Sequence, residues 1–435
     1  MPRQKHHPQL NTYLNGRLVG RLNRSASGAI DFQYDRTWLD WEHALPVSLS
    51  LPLREDRYIG APVIAVFDNL LPDNISIRRR MAERVGAEGT DAYNLLAAVG
   101  HDCVGALQFL TPDQELEPAG SIQSKPASDA EIEKILSNLA STPLGADEDE
   151  DFRISIAGAQ QKTALLFLQK RWRKPIATTA TSHIFKPQIG KLPNGIDLSN
   201  SVENEYLCLK LTAALGLPSA QVEMKTFGKH KTLVVERFDR LWTKDGRLLR
   251  IPQEDMCQAL SVLPTRKYES EGGPKIKDIL DLLKGSDDPA NDQATLMKAL
   301  VVFWLLGATD GHAKNFSIRL LPGGRFRLTP LYDVLTAQPS VDDHHITRNK
   351  MKLAMAVGKS RHYVVDTIAP RHFRETAKQS GIPDSSIDKI FSDLLQNAPK
   401  ALDQVADKLP KAFPSKLVTS VYAGFRKRLH LVELS

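Results

Sequence analysis

Residues 304–318 read WLLGATDGHAKNFSI, and this stretch carries most of the evidence for the fold. An apolar helix is expected to stop at Gly307, after which a short loop leads into an extended segment. Loops held by rigid elements are where catalytic residues are usually placed. An Asp with an Asn five residues later matches an arrangement in which the Asp accepts a hydroxyl proton and the Asn holds Mg²⁺. The polar residues of the loop are Asp310, His312, Lys314 and Asn315.

A second carboxylate follows Asn315 after eighteen residues. The segment from Arg325 to Leu331 alternates in character and predicts a strand with Asp333 at its end. Mg²⁺ prefers one or two carboxylates together with phosphate oxygens, so Asp333 is a candidate to complete a metal site. Either Asp taken alone is more often a turn or cap residue, but the joint spacing favours a phosphotransfer site.

Upstream, Lys186 lies in an apolar, strand-like context. A lysine in that position can reach the α- and β-phosphates of a nucleotide. A surface lysine with a buried stem is an equally acceptable interpretation. The counter-ion is expected in the next helix, where Glu203 and Glu205 are the two candidates. We choose Glu205, although the helix dipole favours acids in a first turn anyway.

Two further segments are candidates to complete a nucleotide site. An apolar strand ending at Val235 runs through Glu236 and Phe238 where a hinge between lobes would pass, although a core strand explains the apolar residues equally well. Small residues after Arg153 would let backbone N–H groups approach an anion closely. That segment matches neither GxxxxGK[ST] nor GxGxxG. Its candidate phosphate-binding residues are Ala157, Gly158, Ala159, Gln160 and Lys162.

Length and composition restrict the class of protein. The 435 residues are 42% apolar and 25% charged, which indicates two or three compact units and excludes collagen, coiled coil and wholesale disorder. The three cysteines form no CxxC pair, so a zinc ribbon or a disulfide framework is not supported and a reducing cytoplasm is expected. The longest apolar run, 299–308, is half of the ~20 residues that span a bilayer, so no membrane association is expected.

The charge is unevenly distributed. Residues 346–435 hold 16 Lys and Arg against eight Asp and Glu, whereas the remainder holds 41 against 43. A basic C-terminal segment on a near-neutral body suggests an anionic partner such as nucleic acid. A solvated helical surface explains the same excess equally well.

The order of the predicted elements indicates an α+β fold of two lobes with a cleft between them. An Asn15-Gly16 hairpin opens a β-rich module over residues 1–110, in which one helix is expected from Ile75 to Leu96. Residues 111–151 form a predicted linker with a short helix and an acidic run. Residues 152–245 are the predicted nucleotide-binding part of the mixed β/α N-terminal lobe. Residues 246–435 are the mainly α-helical catalytic C-terminal lobe, with one hairpin expected around Gly323-Gly324.

Six separate sequence strings, and their order along the chain, resemble those of the HipA serine/threonine kinases, the toxin half of bacterial toxin–antitoxin pairs. The resemblance runs from the N-terminal hairpin to about Leu429. It implies a two-lobed, protein-kinase-like fold that is distantly similar to phosphatidylinositol kinases. The strings are SIAGAQQKTA from Ser155, HIFKP from His183, VERFDR from Val235, PQEDMCQ from Pro252, GATDGHAKN from Gly307 and LYD ending at Asp333.

The resemblance also implies roles for particular residues and the use of ATP and Mg²⁺. Asp310 would be the catalytic base, and Asn315 and Asp333 the metal ligands. Lys186 would bind phosphate, while Glu236 and Phe238 would meet adenine through their backbone. Ser155 would be the autophosphorylation site. Phosphorylation there would expel the phosphate-binding loop and inactivate the kinase, and a phosphoserine beside an acidic run supplies a charge-based reason.

The loop departs from ordinary protein kinases. His312 stands two positions after Asp310, where protein kinases carry Lys and lipid kinases carry His. Lys314 is the candidate to neutralise the γ-phosphate instead. No Asp-Phe-Gly string follows, because Tyr332 and Val334 flank Asp333, so the usual activation-loop control is not expected.

The resemblance implies two kinds of partner. Family members pair with a small helix-turn-helix (HipB-like) antitoxin dimer, and the complex represses its own operator DNA. Characterised members arrest growth by phosphorylating aminoacyl-tRNA synthetases, which is the expected substrate class.

Two other functions are alternatives to a protein kinase toxin. One is a lipid or small-molecule kinase, suggested by His312, and the other is a nucleotide-binding scaffold without turnover that assists a repressor.

Overall fold

The computed structural model describes residues 7–141, 157–158 and 160–435. The N-terminal module is an antiparallel sheet of five strands in the order β4-β3-β2-β1-β5 with helices packed on it. Phe67 packs between Phe32 and Phe109 in its core. Its elements are β1 (Leu10–Leu14), β2 (Arg17–Arg24), β3 (Ile30–Tyr34), α1 (Arg36–Leu39), β4 (Tyr58–Ile59), α2 (Ala61–Asp68), α3 (Ile75–Val85), α4 (Ala92–Val99) and β5 (Leu107–Leu110).

Two predictions for this module, a hairpin turn at Asn15-Gly16 and one helix from Ile75 to Leu96, have different outcomes. The hairpin between β1 and β2 turns at Asn15-Gly16, whose φ angles of 44° and 84° are the positive values expected there. The single helix expected from Ile75 to Leu96 is wrong. Helix α3 ends at Gly86, which has a φ of 64°, and α4 begins after Asp91, whose side chain accepts from the Asn94 N–H.

The second unit is a six-stranded sheet in the order β12-β13-β9-β7-β8-β6. Helix α5 covers one face through Ile132 and Leu136, and α6 packs on the other face. Both β6 and α5 lie within the predicted linker and yet belong to this sheet and its packing. The elements are β6 (Ser124–Pro126), α5 (Asp129–Ser141), β7 (Thr163–Leu168), β8 (Arg171–Pro175), β9 (His183–Pro187), β10 (Gly190–Lys191), β11 (Asp197–Leu198), α6 (Ser201–Ala214), β12 (Val222–Phe227) and β13 (His230–Glu236).

The remaining residues form a mainly helical lobe. A central helix, α9, is buried on every side from Ala299 to Leu306, and the later helices surround it. The elements are β14 (Arg240–Trp242), β15 (Leu248–Arg250), β16 (Gln253–Asp255), α7 (Met256–Ala259), α8 (Ile276–Leu283), α9 (Pro289–Leu306), β17 (Ser317–Leu321), β18 (Arg325–Leu328), α10 (Gln338–Asp342), β19 (Lys352–Val357), β20 (His362–Val364), α11 (Pro370–Gln379), α12 (Asp384–Asp407) and α13 (Ser415–Glu433).

The two-lobed α+β architecture is therefore confirmed, with a mainly helical C-terminal lobe. The β17–β18 hairpin around Gly323-Gly324 is present, but the sequence analysis missed β16 beside it and the β19–β20 hairpin. None of the helices in the described part of the chain is long and apolar enough to cross a membrane.

A buried cluster of charges joins the N-terminal module to the crossover between the lobes. Asp102, just after α4, lies 3.3 Å from the Arg237 guanidinium, 2.7 Å from that of Arg240 and 3.0 Å from that of Arg250. All four side chains are no more than 3% exposed. The module is thus attached to the segment that follows β13 by charge-assisted contacts, and not only by apolar packing.

Candidate active site

A cavity of about 720 Å³ opens between the lobes, and an ion-paired lysine lines it. Lys186 on β9 donates from Nζ to Glu205 Oε1 at 2.7 Å and to Asp333 Oδ1 at 2.8 Å. Glu203, the other candidate counter-ion, instead contacts Lys231 and accepts from Gln188 at 2.6 Å. Of the two acids that the sequence offered, Glu205 is the one that contacts Lys186.

Lys186 favours the charged form of both acids, whereas the two acids repel each other. Burial lowers the pKa of Lys186, but Asp333 and Glu205 outweigh it and raise that pKa above its ordinary value. Burial raises the pKa of Asp333, yet Lys186 and Lys162 hold it well below the usual range. Burial raises the pKa of Glu205 to about 7, with Lys186 opposing the shift. Lys186 and Lys162 thus keep Asp333 ionised, whereas burial dominates at Glu205.

The sequence predicts a strand that ends at Asp333, and this prediction is wrong, because β18 stops at Leu328. It lies in a following loop with a φ of 58°, a conformation that Asp and Asn tolerate better than most residues. The loop is pinned on both sides of Asp333: Leu331 forms a bridge with Ser219, and Thr336 forms one with Ala308. The second bridge brings the Asp333 loop beside the start of the loop that carries Asp310.

The loop that carries Asp310 is shaped by its own backbone. Helix α9 ends at Gly307, which has a φ of 68°, as the sequence predicted. The Asp310 carbonyl then accepts from the His312 N–H at 2.8 Å and from Asn315 Nδ2 at 2.7 Å. These bonds close the turn and leave the Asp310 side chain 46% exposed, so its carboxylate is available to a substrate.

Two aromatic side chains contact the Asp310 carboxylate. The Tyr268 hydroxyl donates to Asp310 Oδ1 at 2.5 Å, and His312 Nε2 lies 3.7 Å from the same oxygen. His312 is buried, and burial lowers its pKa, so the ring is neutral at physiological pH. Its Nδ1 has no hydrogen-bond partner among the described residues.

The Lys314 ammonium is held by the N-terminal module. Its Nζ donates to Asn69 Oδ1 at 2.8 Å and lies 3.0 Å from Asp73 Oδ1, with Asp255 at 3.7 Å. Asp73 also accepts from Lys267 at 2.8 Å. Lys314 lines the cavity, but its charge is balanced by protein carboxylates and is not free in the cleft.

The described part of the predicted phosphate loop also contacts the N-terminal module. The Gly158 carbonyl accepts from the Asp73 N–H at 3.1 Å, and Gln160 Nε2 donates to the Pro187 carbonyl at 3.0 Å. Burial and the neighbouring Lys186 lower the pKa of Lys162 to about 8. Ala157 lines the same cavity. The remaining sequence candidates, Ser155 and Ala159, lie outside the described residues.

The crossover from β13 lines another part of the cavity. Val235 is buried, and the Glu236 N–H is already used, since it donates to the Gln221 carbonyl at 2.9 Å. The Phe238 backbone makes no hydrogen bond with the rest of the described chain. Its ring lies 5.8 Å from that of Tyr332.

The residues present fit a Mg²⁺ ion that is shared with phosphate. Over the described ranges there is no group of three or more His, Cys, Asp and Glu side chains that could hold a metal alone. Asn315 uses Nδ2 in the loop, which leaves Oδ1 as a ligand, and Asp333 has a second oxygen beyond the one that Lys186 contacts. Two such oxygens plus phosphate are a set that Mg²⁺ prefers.

Four residues of this site are not among those predicted from the sequence: Asn69, Asp73, Lys267 and Tyr268. The signal for the first two was available, because the apolar helix α2 is followed directly by the polar turn NLLPDN, residues 69–74. The same pattern singled out the loop after α9. Their position opposite Lys314 depends on contacts about 245 residues apart in the chain, which no local pattern reveals.

The fold and the cleft together define a two-lobed, protein-kinase-like architecture. The HipA N-terminal domain family matches residues 10–110, and the HipA-like C-terminal domain family matches residues 154–402. The chain therefore belongs to the HipA family.

Relatives and a solved structure agree with this assignment. The putative kinase Y4mE of Sinorhizobium fredii is 36% identical over 404 residues, which cover 92% of each chain. The serine/threonine-protein kinase toxin HipA of Shewanella oneidensis is 26% identical and covers 92% of this chain and 90% of its own. A chain from the Shewanella oneidensis complex of HipA, HipB and operator DNA has the same fold, with a TM-score of 0.79, 23% identity and coverage of 98% of this chain and 97% of that chain.

Proposed function

We propose that this serine/threonine kinase uses ATP and Mg²⁺, with Asp310 as the base that accepts the proton of a substrate hydroxyl. One observation carries the proposal: the Lys186–Glu205–Asp333 triad and the Asp310–Asn315 loop line one cavity between the lobes. Lysine, glutamate and metal-binding aspartate in contact are the parts that kinases use to hold a nucleotide. Family membership and the named kinase relatives give the enzyme class.

The cavity offers groups for each part of ATP. Val235 would pack on the adenine, the free backbone of Phe238 would bond its edge, and Glu236 would contribute its carbonyl. Lys186 would bind the α- and β-phosphates, with Gly158 and its neighbours forming the loop beneath them. The cofactor candidates Ala157, Gln160, Lys162, His312 and Lys314 also line the cavity. Lys314 would act on the γ-phosphate only from its ion pair with Asp73.

The chain's own residues would perform the transfer. The substrate hydroxyl oxygen attacks the γ-phosphorus as its proton passes to Asp310, and the bond to the leaving ADP oxygen breaks. Asn315 and Asp333 would hold Mg²⁺, which neutralises charge on the phosphate oxygens when bound. The neutral His312 ring adds no charge beside Asp310, so on that side the Asp310 carboxyl has a polar but uncharged neighbour.

The biological role that we propose is that of a toxin in a toxin–antitoxin pair. The Shewanella relative is named as a kinase toxin, and the solved complex contains HipB and operator DNA. We infer a helix-turn-helix antitoxin dimer and operator DNA as partners. The basic excess of residues 346–435 would support phosphate contacts in that complex. The substrate class that we propose is an aminoacyl-tRNA synthetase, and Ser155 would be the site of inactivating autophosphorylation.

The experiment is incubation of the purified chain with γ-labelled ATP and Mg²⁺, followed by mass spectrometry of the labelled peptides. Wild type should carry phosphate on Ser155, and both Asp310→Asn and Ser155→Ala should lose it. Ser27→Ala, at an exposed turn of the N-terminal module, is the control and should label normally. Undiminished labelling of Ser155→Ala would remove that assignment, and no label despite ATP binding would favour a scaffold without turnover.

A further inference from the structure

The hydroxyl of Tyr268 forms a hydrogen bond with one of the two oxygens of the Asp310 carboxylate. It donates to Oδ1 at 2.5 Å. The other oxygen, Oδ2, accepts no hydrogen bond from the described residues. Its ring also packs edge-on against His312, with 4.9 Å between ring centroids. Tyr268 belongs to the segment KYESEGGP, residues 267–274, to which the sequence analysis assigned no role.

The position of Tyr268 is fixed without help from Asp310. The adjacent Glu269 is buried, and its carboxylate accepts from the Ala356 N–H at 2.7 Å. The Tyr268 carbonyl accepts from the Gly273 N–H at 2.9 Å. A Cβ at Gly273 would lie only 2.0 Å from the Arg266 carbonyl oxygen, so this turn requires glycine. The segment is therefore a rigid support and not a mobile loop tip.

Such a support matters because the Asp310 side chain is 46% exposed. The terminal torsion of an aspartate is broad, so an unrestrained carboxylate would sample many orientations. Burial and the Asp310 charge raise the pKa of the Tyr268 hydroxyl, which therefore stays protonated and donates throughout the physiological range. A hydrogen bond from a neutral hydroxyl to a carboxylate is charge-assisted and strong enough to select one orientation.

We propose that Tyr268 is a positioning residue: by binding Asp310 Oδ1, it orients Oδ2 toward the aliphatic hydroxyl of the substrate. The inference rests on the proposed role of Asp310 as the base. The competing possibility is that the tyrosine hydroxyl is a stand-in for the substrate hydroxyl, which the substrate must displace before transfer. The free Oδ2 and the rigid support of Tyr268 favour positioning, and the two possibilities predict rate changes of opposite sign.

The test compares Tyr268→Phe with wild type in phosphotransfer from γ-labelled ATP to the chain itself and to added casein. The phenylalanine ring keeps the packing on His312 and removes only the hydroxyl. We expect kcat to fall by roughly ten- to a hundredfold, as for a small misplacement of a reacting group. The KM for ATP should remain within about twofold, because Tyr268 does not line the described nucleotide cavity.

The matched control is Tyr422→Phe, which removes a buried hydroxyl that donates to the Leu402 carbonyl far from the cleft, at 2.7 Å. It should leave kcat unchanged. An unchanged kcat in Tyr268→Phe, with Asp310→Asn inactive, would overturn the positioning role and leave the proposed function standing. A raised kcat in Tyr268→Phe would establish the stand-in instead. Full activity of Asp310→Asn would show that the proposed base itself is wrong.

Discussion

Asp73 of the N-terminal module lies 3.0 Å from the Lys314 ammonium of the catalytic loop, and both side chains are largely buried. The N-terminal module therefore supplies part of the lining of the cleft between the lobes. Burial raises the pKa of Asp73, but Lys314 and Lys267 outweigh it and lower that pKa below its usual value. The same turn contacts Gly158 through the backbone. A displacement of the module would thus affect the catalytic loop and the phosphate loop together.

The first prediction concerns this contact. Asp73→Asn leaves Lys267 without its carboxylate and Lys314 with only the more distant Asp255, at 3.7 Å. Removal of one partner from a buried pair costs about 3 kcal/mol or more of unfolding free energy. We expect that loss in urea unfolding and at least a tenfold fall in phosphotransfer. Asp40→Asn, which breaks an exposed pair with Arg36 in the same module, should change neither. Equal stability and equal rates in both variants would contradict the contact.

The second prediction compares the effects on ATP binding of Lys186 and Lys231, the lysines that pair with Glu205 and Glu203 of α6. Lys186→Met should weaken ATP binding at least tenfold in calorimetry, because the phosphates lose their buried cation. Lys231→Met removes the partner of Glu203 and should leave ATP affinity within about twofold. If the two substitutions had the same effect, the assignment of Lys186 with Glu205 as the nucleotide-binding pair would be wrong.

The third prediction concerns the attachment of the N-terminal module. Asp102→Asn leaves three buried arginines short of a carboxylate. We expect a loss of about 3–5 kcal/mol in the free energy of unfolding. Asp245→Asn, at an exposed pair with Arg247 between β14 and β15, should have no measurable effect. An Asp102→Asn protein with the wild-type free energy of unfolding would show that the cluster does not stabilise the crossover.

The fourth prediction is a pH dependence of stability from Glu254. Burial raises the pKa of this carboxyl to about 8, although the Leu49 N–H donates to it at 2.8 Å. The folded state therefore binds the proton more tightly than the unfolded state. The contribution of this proton to the free energy of unfolding is complete below the ordinary carboxyl pKa of 4.5. That contribution is lost as the pH rises toward 8.

Glu254→Gln removes this titration while keeping the shape of the side chain. Relative to the variant, the wild type should lose up to about 4 kcal/mol of unfolding free energy between pH 5 and 8. Urea unfolding of both proteins at about pH 5, 6.5 and 8 measures the difference. A difference that is constant with pH, or that changes with the opposite sign, would contradict the raised pKa.

Local chemistry made much of this fold predictable from sequence. Asn15-Gly16 dictates its own turn, and Gly307 ends α9 where the apolar pattern stops. The clustering of Asp310 and Asn315 follows from their spacing in one loop. The division of the 75–96 region into two helices depended on caps at Gly86 and Asp91, which the apolar pattern alone does not indicate.

The unpredicted part of the site depends on distant contacts. Asp73 reaches Lys314, and Tyr268 reaches Asp310, only because three separate segments pack around one cleft. The partner of neither residue follows from the local sequence: Asp73 follows a proline in a turn, and Tyr268 lies in a charged segment. The choice of Glu205 over Glu203 likewise has little local support, because both acids lie in the N-terminal part of α6 and only the sheet position of Lys186 selects one.

The most direct test of the central claim is phosphotransfer from γ-labelled ATP by wild type and Asp310→Asn, with ATP binding measured in parallel. We predict labelled protein with wild type. Asp310→Asn should bind ATP with an affinity within about threefold of wild type and transfer phosphate at least a hundredfold more slowly, because a general base contributes that much or more. Transfer by Asp310→Asn at the wild-type rate would contradict the account, as would a wild-type protein that binds ATP and Mg²⁺ without transferring phosphate.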